Sequence, residues 1–150
     1  MQKELLLNIL EQNQLTNSFA LSNVSDENAK FRLNEQTSTV GFIYRHIGET
    51  INLFGTFFGV STDIQPTTLG QTDDGQGLNI EESTRLIENG YEMLRKLVET
   101  TSDSDWFEML ETPFFGKISR IRLFTHVLYH NSHHTGQISL ILANGKNAEA

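Results

Sequence analysis

The stretch FTHVLYHNSHHTGQ, residues Phe124 to Gln137, is the part of the sequence that decides the fold and locates the chemistry. It holds four of the five histidines: His126, His130, His133 and His134. It has no Pro, and its first Gly is Gly136, so a helix can pass through it. At about 100° of turn per residue, His130 and His134 lie roughly 40° apart on one face and one turn apart along the axis. Two imidazoles so placed can point at one ion, although such a pair also occurs in plain helix packing. The surrounding pattern favours the ion. Leu123, Val127, His130, His134, Ile138 and Ile141 recur at steps of four, three, four, four and three, the rhythm of a buried helical face. His126 and His133 fall to one side of that stripe by roughly 60–80°. Histidines in mid-stripe are costly to bury without partners, and a metal satisfies both.

Working outward, this last helix is expected from about Ser119 to Asn144, stopped by Gly145, with the final residues fraying. An earlier helix is equally well marked: Val40, Ile43, Ile47, Ile51, Phe54 and Phe58 keep a helical period, with Thr37 or Ser38 as cap. His46 sits on or beside its apolar face, where a lone histidine is by default a core residue bonded to a carbonyl. Gly55 and Gly59 weaken the end of this helix. A third helix spans about Ile80 to Thr101, with Leu86, Ile87, Met93, Leu94, Leu97 and Val98 inward, Glu81 and Glu82 near its start, and Arg95 and Lys96 toward its end. The N-terminal helix, about Gln2 to Ser22, is looser, with Leu6, Ile9, Leu10, Leu15 and Phe19 as its apolar side.

Between these lie a polar connection, Asn23 to Gln36, in which Phe31 and Leu33 tuck inward, and a long irregular segment, Val60 to Asn79. A loop of that length is uncommon in a compact domain. It reads as a mobile excursion over the mouth of a site or as a tolerated insertion. The connector SDSDWFEMLETPFFGK supplies Trp106, Phe107, Phe114 and Phe115 to cover one end of the helices. No run of strict alternation competes for a strand. The fold class is all-α, a four-helix bundle of one domain over residues 1–150, its topology left open by two long connections.

Composition narrows the function. Nineteen acidic against eleven basic residues give a net charge of -8, which argues against a nucleic-acid partner. No apolar run is long enough for a membrane span. The start, MQKELLLNILEQN, lacks a signal-peptide pattern, so a soluble cytoplasmic protein is expected. Cysteine is absent, which removes disulfides and thiolate ligands and leaves nitrogen and oxygen donors. His46 set against His130 and His134 from a facing helix makes an open three-imidazole site, suited to zinc, nickel or iron(II). A rival set uses His126 with His130, also four apart. Glu49, three residues after His46, is read as a solvated edge rather than a base. Gln137 is either an ordinary polar contact or a hydrogen-bonding partner of a ligand, and Gly136 is read as permitting close helix approach. Tyr129 and His133 point to the surface or an interface.

LFTHVLYHNSHHTGQI resembles the signature of the DinB/YfiT-like metalloproteins, H-x-x-x-H-[RT]-G-Q in the last helix, and FRLNEQTSTVGFIYRHIGET resembles the helix that carries their first ligand. The likeness covers both motif helices and the order of elements between them, nearly the whole chain. It implies a four-helix bundle with a divalent ion on His46, His130 and His134, and often a homodimer. Thr135 stands where many members have Arg, so no role of a positive charge there carries over. Some members are transferases or isomerases that use a low-molecular-weight thiol such as bacillithiol, mycothiol or glutathione. That implies a small-molecule substrate and a thiol bound at the ion.

Overall fold

The computed structural model describes residues 2–147. Four helices make the body: α1 (Gln2–Leu21), α2 (Val40–Phe57), α3 (Ile80–Thr100) and α4 (Arg120–Asn144). Helix α2 packs on α3 and α4, and α1 closes the other side against α4 and α3. The bundle therefore runs α1, α3, α2, α4 around its axis. Among the described residues, four short strands accompany the helices. β1 (Phe31–Arg32) pairs antiparallel with β4 (Lys146–Asn147), and β2 (Met109–Thr112) with β3 (Gly116–Ser119). The sequence pattern gave no sign of them, because two-residue pairings carry no alternation and MLET and GKIS do not alternate apolar with polar.

The core is the inner stripe of each helix. Leu10, Val40, Ile47, Leu94, Val98, Leu123 and Ile138 are fully sequestered. α1 departs from expectation: Leu6, Leu10, Asn17 and Leu21 face inward, while Ile9, Leu15 and Phe19 are exposed. A polar residue in the buried stripe disguised it. Asn17 donates to the Asn13 side chain and to the Tyr91 hydroxyl, so its amide is satisfied inside the bundle.

The cap of α2 is Thr39, one residue beyond the expected pair. Its hydroxyl accepts from the Phe42 amide and donates to Asp73 at 2.7 Å. The α2–α3 contact is close because Gly90 lacks a side chain; a Cβ there would stand 2.5 Å from Ile51 Cγ2. Gly136 has open space beside it, so it does not serve a close helix approach.

The connector before α4 forms the β2–β3 hairpin. Trp106 is buried, edge-on to Phe124 at 5.4 Å, whereas Phe107, Phe114 and Phe115 remain substantially exposed. Only Trp106 of the four fully covers the bundle end. Arg120, at the first turn of α4, donates to the carbonyls of Phe58 and Asp105 and to the Glu108 carboxylate. It thereby ties the end of α2 to the base of the hairpin. Among the described residues, no helix is long and apolar enough to cross a membrane.

Candidate metal centre

His46 is in the second turn of α2, and His130 and His134 are in the middle of α4. The packing of α2 on α4 brings the three rings together. Their centroids lie 5.2 Å (His46–His130), 4.7 Å (His46–His134) and 4.4 Å (His130–His134) apart. One nitrogen from each falls within 4.8 Å of the others. The Nε2 atoms of His130 and His134 are 3.2 Å apart. Two nitrogens bound to one ion at about 2.1 Å each are expected roughly 3.0–3.4 Å apart for octahedral to tetrahedral angles, so the α4 pair fits.

The second nitrogens of His134 and His46 are also engaged. His134 Nδ1 lies 2.7 Å from Gln137 Oε1 on the next turn. An amide oxygen only accepts, so Nδ1 carries the proton and Nε2 is left with a lone pair. His46 Nδ1 lies 3.1 Å from Thr68 Oγ1. All three rings are half-buried. Burial, followed by the neighbouring charge of His134, lowers His46 to about 4. Burial and the surrounding imidazoles lower His130 to about 3. Burial also lowers His134. The neutral imidazole is the state in which histidine binds metal.

The neighbouring histidines divide as the stripe expects. His126 lies beside the three and not within their cluster, its ring 6.0 Å from His130, 4.5 Å from Phe115 and 5.4 Å from Phe54. His133 and Tyr129 are exposed. Thr135 is buried toward α1, and its hydroxyl has no partner among the described residues. Residue 135 therefore faces away from the three histidines.

Glu49 is where the structure corrects the sequence most. Expected at a solvated edge, it is completely buried. Its carboxylate accepts from Arg45 Nε, from the hydroxyls of Thr67 and Thr68, and from both of their backbone amides, at 2.7–3.0 Å. Burial alone would raise its pKa; these donors override that and hold it below the usual carboxylate range. The cover comes from the long segment after α2, which folds back over α2 instead of standing away from it. Asp73 fastens the same segment at Thr39. No pattern in the sequence links residue 68 to residue 46, so Thr68 went unrecognised.

A cavity of about 420 Å³ opens beside the histidines. His46, Thr68, His134 and Gln137 form its polar side; Leu33, Phe42, Ile43, Leu140 and Ile141 form its apolar walls, with Thr37 and Ser38 at its edge. Among the described residues, no Asp, Glu, Lys or Arg lines it.

The DinB superfamily profile matches residues 9–138. The chain belongs to the DinB superfamily. No curated protein matches the sequence. A crystal structure of a DinB-like protein from Bacillus cereus ATCC 10987 superposes with a TM-score of 0.71 at 17% identity, covering 100% of this chain and 99% of that one. At that identity the likeness establishes the fold: this is an all-α DinB-like bundle. Superfamily membership and the clustered histidines are together compatible with a metal-binding protein.

Proposed function

We propose that this DinB-superfamily chain holds one divalent transition ion, zinc, nickel or iron, on His46, His130 and His134, and acts through it on a small molecule seated in the adjoining cavity. The observation that carries this reading is the convergence of three neutral imidazoles within 4.8 Å beside a 420 Å³ cavity. Three protein ligands leave coordination positions open. When bound, such an ion supplies Lewis acidity and lowers the pKa of a coordinated thiol or water. The chain's own part is to keep the imidazoles neutral by burial, to aim His134 through Gln137, and to seat the apolar portion of a substrate against Phe42, Ile43 and Leu140. The charge-free lining suits an uncharged, largely apolar substrate. The reaction class that goes with the family resemblance is transfer or isomerisation dependent on a low-molecular-weight thiol.

A second reading, a non-catalytic metal- or ligand-binding module, is favoured by one observation. Apart from the histidines, the cavity presents no acid or base, and the Glu49 carboxylate is committed to Arg45, Thr67 and Thr68. The proposal also includes a homodimer, seated on the exposed stripe of Leu5, Ile9, Leu15 and Phe19 on α1.

Elemental analysis of untagged protein purified without chelators tests the metal: close to one transition ion per chain is expected. His46→Ala and His134→Ala should lose it, while His126→Ala and His133→Ala should keep it. Metal retained in His134→Ala but lost in His126→Ala would establish the rival set. The cobalt-substituted protein then separates the two functional readings. A sulfur-to-metal charge-transfer band on adding bacillithiol, mycothiol or glutathione supports the thiol-dependent enzyme, and an unchanged spectrum with all three supports the binding module.

A further inference from the structure

The direction of the hydrogen bonds around Glu49 determines which nitrogen of His46 carries the ring proton. Glu49 accepts from Arg45 and from the amides and hydroxyls of Thr67 and Thr68, the surroundings of an ionised carboxylate, and an ionised carboxylate only accepts. The Thr68 hydroxyl, 2.7 Å from Glu49 Oε2, therefore commits its single proton to that oxygen. What Thr68 Oγ1 presents to His46 Nδ1, 3.1 Å away, is a lone pair. The contact is a hydrogen bond only if His46 donates from Nδ1. A neutral imidazole has one N–H, so Nε2 is left as the free donor atom.

Nothing else about Thr68 is loosely placed. Its backbone amide also donates to Glu49 Oε2, and the preceding Thr67 is bound to the same carboxylate through its amide and hydroxyl. Arg45 completes the cluster from the α2 side. The carboxylate that receives the hydroxyl's proton is thus itself held by Arg45, Thr67 and the Thr68 amide, and Thr68 is buried.

We propose that Thr68, backed by Glu49, is a positioning residue for His46: it fixes the Nδ1–H tautomer and the orientation of the ring. The segment between α2 and α3 thereby sets the metal affinity of a site to which it gives no ligand. Gln137 acts in the same way on His134, but from the same helix. Thr68 reaches His46 from a separate segment, so the bond exists only when that segment lies down on α2. Partners of this kind hold a ligand's tautomer, and their loss typically costs 10–100-fold in metal affinity. The proposal rests on the metal reading above, but the tautomer can be read without any metal.

The test uses the full chain labelled with ¹⁵N, stripped of metal. Long-range proton–nitrogen correlations of the His46 ring should show a protonated Nδ1 and an unprotonated Nε2. In Thr68→Val the tautomer preference should be lost, and zinc affinity, measured against a chelating dye, should fall 10–100-fold. Thr68→Ser, which keeps the hydroxyl, should restore both. Wild-type His46 carrying its proton on Nε2 would overturn the proposal even if Thr68→Val failed to fold. Zinc affinity and tautomer both unchanged in a folded Thr68→Val would overturn it while leaving the metal site standing. A wild-type protein that binds no zinc, nickel or iron would overturn the metal reading and this proposal with it.

Discussion

Acidifying the metal-free protein should destabilise it through the histidines. In the folded chain His46 is lowered to about 4 and His130 to about 3, each first by burial and then by the imidazoles around it. In the unfolded chain both titrate near 6.5. A group depressed on folding contributes stability that is present above its unfolded pKa and is lost as pH falls toward its folded pKa. Between pH 7 and pH 5 the unfolded chain takes up protons that the folded chain refuses. Integrating the linkage relation over that window gives about 1.9 kcal/mol for each histidine, or about 3.7 kcal/mol for the pair. Both rings are only half-buried. Discounting by about half for solvent screening leaves a loss of about 2 kcal/mol. His134 is lowered as well and acts in the same direction. Glu49, held below the usual carboxylate range, acts in the same direction but only weakly here, since an unfolded glutamate with pKa near 4.3 begins to take up protons only at the bottom of this window. The assay is guanidinium unfolding of metal-stripped protein at pH 7 and pH 5, repeated for His46→Gln/His130→Gln. Wild type should lose about 2 kcal/mol and the double variant clearly less. Equal losses in the two proteins would refute the reasoning, because the pH dependence would then originate elsewhere.

Gly90→Ala forces a methyl group against Ile51 and should cost about 1–3 kcal/mol by overpacking, measured by urea unfolding. Thr39→Ala removes the α2 cap together with the Asp73 bond and should cost about 1 kcal/mol or somewhat more. In that variant, amide exchange should also quicken in residues 67–76. Phe19→Glu places a charge in the exposed α1 stripe and should convert a dimer to a monomer in sedimentation runs; a monomeric wild type would refute the homodimer.

The two helices that carry the histidines were legible because their apolar residues keep a single period that runs through the histidines. Val40 to Phe57 and Arg120 to Asn144 follow from spacing alone. α1 was legible as a helix but not in its orientation. Asn17 occupies a buried position that only its bonds to Asn13 and Tyr91 make tolerable, and those partners are set by tertiary packing. Glu49 was misread for a related reason: a carboxylate on a helix reads as exposed until something covers it. Its cover, Thr67 and Thr68, lies in a stretch whose composition signals only irregular backbone. Hydrogen-bond networks between distant segments leave no periodic trace, so the supports of the histidines were hidden where the histidines themselves were not.

His130 and His134 are neighbours on any helical turn, but His46 is more than eighty residues earlier in the chain. The α4 pair is therefore available to an ion even in a partly folded polypeptide, whereas the third imidazole arrives only when α2 docks. During synthesis His46 emerges long before its partners and must wait for the C-terminal helix. An ion captured early by the α4 pair would not be released on folding; it would gain a ligand and, with it, a cross-link closing a long loop. The gain in stability from loading such a protein is then set by the difference between three-ligand and two-ligand affinity, not by the full binding energy.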